Sequence, residues 1–279
     1  MATSAILIDA PERSFRIWFR KHLPEVVGTP LLVIVIIGLW AWVVEAFQIR
    51  SIILPSPLGV WNALVQGLTP SNPGNFYPHI VVTLWEILAG FALGAMIGLL
   101  LALILSQLPI VERVVKPLVV AFQSMPKIAI APLFIIWFGF GATSKIALVA
   151  LVVFFPILVA GLTGFRSVDQ ERLEVMQSLG SSKWRTFVKL VLPGSLPFLF
   201  TGLEISLVHA MTATIVAEFL AGAAGLGVLI VQMGQVLNTA GVFAVMIVLG
   251  VIGWALVQIL GLIRKRLLFW SIDTRRPNM

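Results

Sequence analysis

Residues 174–193 read EVMQSLGSSKWRTFVKLVLP, from Glu174 to Pro193, in a chain that is otherwise mostly apolar. Asp169, Glu171 and Glu174 lie early in this region, and Lys183, Arg185 and Lys189 lie late. Val175, Met176 and Leu179 share one side of a short helix at offsets of one, three and four. Gly180 breaks that helix, and Ser181 or Ser182 is placed to cap the next by accepting a backbone N–H bond. Trp184, Phe187, Val188 and Val191 then form a second apolar stripe before Pro193. The pattern is a water-facing helical hairpin with apolar residues in helical register. A solvated loop does not need Met176, Leu179, Trp184 and Phe187 there. A cytoplasmic partner, the membrane surface or the protein's own bundle must cover part of them.

The flanking sequence sets the environment. Hydrophobic residues are 59% of the 279 and charged residues 11%, with mean hydropathy +1.04. Soluble domains carry about 25% charge, so this chain cannot coat a water-facing surface. A membrane helix needs roughly 20 mainly apolar residues. Six runs qualify: 31–47, 80–105, 117–138, 146–164, 196–220 and 241–263. The expected class is an all-α polytopic membrane protein with about six transmembrane helices. Residues Leu226–Leu237 are apolar but short, with Gln232 and Gln235 among them, and read as a re-entrant or interfacial piece.

Charge placement orients the chain. Arg13, Arg16, Arg20 and Lys21 precede the first helix; Arg113 and Lys116 separate the second and third. Arg166, Arg172, Lys183, Arg185 and Lys189 separate the fourth and fifth, and Arg264, Lys265, Arg266, Arg275 and Arg276 follow the sixth. Sixteen of the 19 cations therefore share one side, leaving Arg50 and Lys145 opposite and Lys127 inside the third run. By the positive-inside rule that side is cytoplasmic. The expected organisation is a cytoplasmic segment 1–30, a membrane domain 31–263 with a cytoplasmic loop 165–193, and a basic tail 264–279. The net charge of +7 follows from this topology and does not call for nucleic acid. Zero cysteines exclude disulfide and thiolate chemistry. The first 30 residues lack the apolar core and cleavage site of a signal peptide. Ser14–Pro24 reads either as an interfacial helix, with Phe15, Trp18 and Phe19 toward lipid, or as an ordinary basic flank.

Inside the membrane runs, Gly90, Gly94 and Gly98 recur every four residues on one face, the spacing of a helix-packing stripe, with a ligand-facing stripe as the alternative. Pro126, Pro132 and Pro156 are candidate kinks. The outer loop 48–79, with LPSP at Leu54–Pro57 and TPSNPG at Thr69–Gly74, reads as a folded-back cap. GFGATSK at Gly139–Lys145 lacks phosphate-loop spacing, and GAAGLG at Gly222–Gly227 follows no soluble strand, so neither binds nucleotide. No cluster has metal-site spacing, and no nucleophile elbow marks a hydrolase.

Glu86, Glu204, His209 and Glu218 are ionisable groups in apolar runs, where such groups face protein or a wet cavity. His209 and Thr212, three apart, share a face. With Met211, Thr214 and an outer end at Glu218 they are the candidate passage lining, against simple interhelical hydrogen bonding. Glu204 and His209 could form the proton relay of a secondary transporter, but five residues put them about 140° apart on the helix.

The hairpin resembles the cytoplasmic EAA loop of bacterial ATP-binding-cassette importer permeases. Glu174 matches the family's Glu, Gly180 its Gly, and Leu192–Pro193 its end; Val175 and Met176 replace two alanines. MPKIAIAPLFIIWFGFGATSKIA (Met125–Ala147), FFPILVAGLTGFRSVD (Phe154–Asp169), AEFLAGAAGLGVLI (Ala217–Ile230) and the LPSP motif are similar to the nitrate/sulfonate/taurine branch. The resemblance implies a type I importer permease of the bacterial inner membrane, with both termini cytoplasmic and no catalytic or cofactor site of its own. It implies a second permease subunit, two ATPase subunits carrying ATP and Mg, and an extracytoplasmic binding protein that delivers a small solute. Glu174, Met176, Leu179, Gly180, Trp184 and Phe187 would form the coupling element that transmits ATPase closure to the helices. Members carry nitrate, sulfonates, taurine, bicarbonate, aromatic acids or vitamin precursors.

Overall fold

The computed structural model describes residues 11–270, with side chains from residue 27 onward. The backbone at Phe15, Trp18 and Phe19 of the expected interfacial helix is helical, continuous with the first span, while their side chains, and Arg275 and Arg276 of the basic tail, lie outside what is described. Eleven α-helices follow one another in this range. They are α1 (Pro11–Ala46), α2 (Pro57–Gly67), α3 (Tyr77–Ser106), α4 (Pro109–Ser124), α5 (Ala131–Phe138), α6 (Ala142–Phe165), α7 (Gln170–Ser178), α8 (Lys183–Thr186), α9 (Leu192–Ala221), α10 (Leu226–Gln235) and α11 (Thr239–Leu267).

Among the described residues, five stretches are long and apolar enough to cross a membrane: Val27–Ala46, Tyr77–Ser106, Ala142–Phe165, Lys183–Ala221 and Thr239–Leu267. The expected unbroken third span, 117–138, is instead two pieces, Pro109–Ser124 and Lys127–Phe138, bent by 83°. The cause is Pro126. It has no N–H to continue the ladder, and it pushes Met125 into extended geometry, with ψ 145°. A single 3₁₀ turn, Lys127–Ile130, restarts the chain, helped by an Ala129 N–H bond to the Pro126 carbonyl at 2.8 Å.

Contacts along α6 show that the two pieces together make one crossing. Glu112, near the start of α4, pairs with Arg166 just past the C-terminus of α6. Phe122 stacks on Phe155 partway along it. Ala131 of α5 packs with Leu148, near the N-terminus of α6, and with Ala217 of α9. The path thus climbs the whole of α6, and with the bent pair taken as one span the described residues hold six crossings.

Helix α6 is the centre of the bundle, packed on one side by α3 and on the other by α9. Gly90, Gly94 and Gly98 are what lets α3 approach. A side-chain carbon at Gly90 would fall 2.5 Å from Val149 Cβ. At Gly94 it would fall 2.4 Å from the Ala150 carbonyl, and at Gly98 2.9 Å from that of Phe154. The inner core at this seam is Ile87, Val149, Val153, Ile157, Leu207 and Ala210. By contrast, none of the apolar stretch Val27–Ala46 of α1 is buried in the monomer.

The loop between α1 and α3 folds back on the bundle. Ser56 caps α2 by accepting the Gly59 N–H at 3.1 Å, with Pro57 at the first helical position, where a missing N–H costs nothing. Val60 of α2, Phe76 and Leu226 of α10 pack with Ala244 and Val245 of α11. The short apolar segment after α9 is therefore a ten-residue helix docked by its N-terminal half.

Candidate functional site

Two regions hold the residues singled out by the sequence: the hairpin at the basic end of the bundle, and helix α9.

In the hairpin, α7 stops where Gly180 takes φ +68°. The Ser181 N–H closes the turn on the Met176 carbonyl at 3.0 Å. Ser182 then caps the next helix, accepting the Arg185 N–H at 3.3 Å. That second arm does not end at Leu192–Pro193. It continues through one π-helical turn, Phe187–Val191, into α9, giving a 39-residue rod from Lys183 to Ala221. Pro193 is accommodated because it falls in the first turn of the α-helical stretch that follows the π turn.

The coupling candidates split into anchored and free. Phe187 lies between Phe165 at the end of α6, at 5.9 Å between ring centres, and Trp184, at 6.0 Å. Trp184 itself is 73% exposed and Leu179 76%. Val175 is also exposed, and Met176 is half-buried. Glu174 is exposed, its carboxylate accepting from Gln170 Nε2 at 3.3 Å. The Val and Met that replace two alanines thus meet no tight packing inside this chain.

On α9 the candidates part company. His209 lines a cavity of about 1000 Å³ between α4, α6, α9 and α11, with Gln123, Thr163, Glu204, Arg264 and Lys265. Thr212 is exposed, its hydroxyl turned back to the Val208 carbonyl at 3.1 Å. Thr214 is buried and bonded to the Ala210 carbonyl at 2.9 Å. Met211 occupies the space a side chain at Gly253 of α11 would take. Glu218 is 1% exposed and belongs to a different constellation, so the structure brings His209 together with Glu204 rather than with Glu218.

Glu204 accepts both of its charged contacts from Arg264 Nη1, each at 3.1 Å. Arg264 stands in the last turn of α11, which runs to Leu267, so the first residues of the expected basic tail are helical. An acid within an apolar run is here matched by a cation from a neighbouring helix, both of them half-buried.

At the opposite end the sequence reading missed a polar lock. Lys145 is buried at the start of α6 in an ion pair with Glu86 of α3. Glu218 accepts from Thr83 Oγ1 at 2.7 Å and from the Gly227 N–H at 2.6 Å. Thr83 also accepts the Leu226 N–H at 2.8 Å, and His79 Nδ1 faces the Gly225 N–H at 3.1 Å. The residues at the N-terminus of α10, whose N–H groups have no partner inside the helix, are thus each met by a side chain from α3 or α9. A signal was present: Glu86 is an acid deep in an apolar run, and Lys145 is one of two cations on that side of the membrane.

With this geometry in hand, comparison with known proteins places the chain. Residues 94–268 match the family described as "binding-protein-dependent transport system inner membrane component". The chain belongs to that family. Among its relatives are the formylaminopyrimidine transport permease protein ThiX of Halalkalibacterium halodurans, 35% identical over 78% of this chain and 87% of that protein. The taurine transport system permease protein TauC of Escherichia coli is 31% identical over 95% and 98%, and the riboflavin transport system permease protein RibX of Chloroflexus aurantiacus is 34% identical over 88% and 90%. The fold matches that of the MetNI methionine ABC transporter in an inward-facing conformation, with TM-score 0.53 and 21% identity over 78% of this chain and 100% of that one. The permease is a multi-pass inner-membrane subunit of an ATP-binding-cassette importer. It is not an enzyme: it moves a small solute handed on by a binding protein, and ATP and Mg are used by the ATPase to which it couples.

Proposed function

We propose that the permease works as a pair of identical copies and receives ATPase closure through residues 174–193. In this reading it passes a small anion, such as a sulfonate, taurine, nitrate or an aromatic acid, along the α9 face that carries His209. The observation that carries this is mechanical. An exposed aromatic hairpin arm is one continuous helix with α9, so force applied at Trp184 reaches the cavity wall without crossing a flexible joint. Trp184 and Leu179 fit a groove on a partner, since large exposed apolar groups on a rigid element mark an interaction site. Both termini and the hairpin fall on the basic, cytoplasmic side under the positive-inside rule. Glu204, held by Arg264, and His209 border the same cavity, whose remaining charged group is Lys265. That balance favours anions.

Taurine and formylaminopyrimidine permeases are relatives of comparable identity, so a heterocyclic vitamin precursor is the second reading. The test is ATPase activity of the complete transporter in lipid, with binding protein loaded from a panel of sulfonates, carboxylates, nitrate and heterocycles. One anion should stimulate hydrolysis and be taken up, and His209→Ala should alter the uptake KM while the complex still assembles. Stimulation by heterocycles alone would displace the anion reading. Uptake by this chain without an ATPase, driven by an ion gradient, would overturn the coupling role.

A further inference from the structure

Lys127 sits at the 83° break of the third span, where its ammonium donates to the Gln123 carbonyl at 2.9 Å and lies 5.3 Å above the centre of the Phe155 ring. Phe155 is ten residues short of the end of α6, about 15 Å along the helix. In a hydrocarbon layer roughly 30 Å thick this is the midplane. A cation at that depth is costly unless it faces protein, water or a counter-charge. Among the described residues no carboxylate comes within ion-pairing distance of it; the four ion pairs involve Lys145, Arg166, Arg172 and Arg264.

Capping the Gln123 carbonyl, left open where α4 ends, accounts for one of the three ammonium donors, and the ring face for part of the charge. A donor and most of the charge are left over. Gln123, whose carbonyl Lys127 holds, and Pro156, next to Phe155, both line the cavity that contains His209. Lys127 does not itself line this cavity; its half-buried ammonium stands just behind the wall, held on the Gln123 carbonyl. Its depth separates it from any lipid headgroup, which leaves the transported solute or a carboxylate of the second copy as its counter-charge, and only the solute has the neighbouring cavity to occupy.

We propose that Lys127 is an anion-binding residue of the passage, meeting the carboxylate, sulfonate or similar anionic group of the solute at mid-membrane. This rests on the transport reading above and narrows it to solutes that carry negative charge.

The absence of cysteine makes a direct test available. Gln123→Cys puts one thiol per copy on the cavity wall of the assembled, reconstituted transporter. Its reaction rates with sulfonatoethyl (anionic) and trimethylammonioethyl (cationic) methanethiosulfonate are measured on this chain, and their ratio is divided by the ratio for a free thiol. A shifted thiol acidity affects both rates alike and cancels. With Lys127 present the anionic reagent should be favoured about tenfold, as expected for one charge within a helical turn at intermediate dielectric. Lys127→Met, which keeps the stem and inserts easily, should lower that preference about fivefold, and Lys127→Arg should restore it. A preference near that of the free thiol, a thiol inert to both reagents, or a ratio unchanged in Lys127→Met would each overturn the assignment. Stimulation of ATPase by loaded binding protein in the same preparation reports on the permease reading separately, so the two can fail independently.

Discussion

The two ends of the bundle are built on opposite plans. At the end opposite the hairpin, charged and hydroxyl groups from α3, α6 and α9 are almost entirely buried, and they bond across elements far apart in sequence. At the basic end, the hairpin's hydrogen bonds run between near neighbours, and Trp184 and Leu179 point into solvent. Long-range buried polar contacts fix one arrangement, because any shift leaves a group unpaired in a low-dielectric setting. Local bonds hold a shape while leaving the surface free for a partner. The end opposite the hairpin is thus completed within this chain, whereas the hairpin leaves its surface free, as the coupling role proposed above requires.

The sharpest way to break this contrast is at the lock. Lys145→Ala would leave Glu86 as an uncompensated buried charge, a change that costs about 3–5 kcal/mol. The expected result is poor accumulation in the membrane and a thermal midpoint far below wild type in detergent. Glu86→Gln combined with Lys145→Met removes both charges and should recover most of the loss. If Lys145→Ala alone melted like wild type, the pair would not be holding α3 to α6.

That lock also marks the limit of what the sequence disclosed. Spans could be read because each is a long apolar run, and the basic loops because charge asymmetry accumulates over many residues. Gly90, Gly94 and Gly98 were readable as a stripe because a four-residue repeat leaves one face bare whatever it packs against. The break at Pro126 was not, since a proline inside an apolar run is compatible with a mild kink or an 83° turn, and neighbours decide which. Nor was the environment of Glu218, whose partners Thr83 and Gly227 come from different parts of the chain. Helix α9 displays His209, Thr212, Thr214 and Glu218 in one row of letters, but a helix distributes them around its axis. Only packing tells the cavity wall from the core.

A middle-sized effect belongs to Gly180. A side-chain carbon there would meet nothing within 4 Å, so the position is constrained by its positive φ and not by space. Leucine in the left-handed region costs roughly 1–2 kcal/mol, and asparagine tolerates it better. Gly180→Leu should therefore reopen or redirect the turn and impair stimulation of ATPase by loaded binding protein, with membrane insertion intact. Gly180→Asn should retain most coupling. Equal behaviour of the two variants would mean that crowding by a partner, not the turn, selects glycine here.

The smallest effect on stability should coincide with a large effect on function, and this is where the contrast between the ends becomes most exacting. Trp184 is mostly exposed, and removing an exposed side chain usually changes stability by no more than about 0.5 kcal/mol. Trp184→Ala should then leave the thermal midpoint of the isolated permease nearly unmoved. In the complete transporter the same change should weaken ATPase attachment or abolish its stimulation, as loss of an aromatic anchor commonly costs 2 kcal/mol or more of binding, as an order of magnitude. Phe187→Ala is the counterpart, because Phe187 also stacks near Phe165 of the bundle. It should lower both the midpoint and the coupling. A Trp184→Ala permease that is destabilised alone yet couples normally would reverse the assignment, making the hairpin's exposed stripe a packing surface within the membrane subunit and leaving the ATPase to grip some other part of the loop.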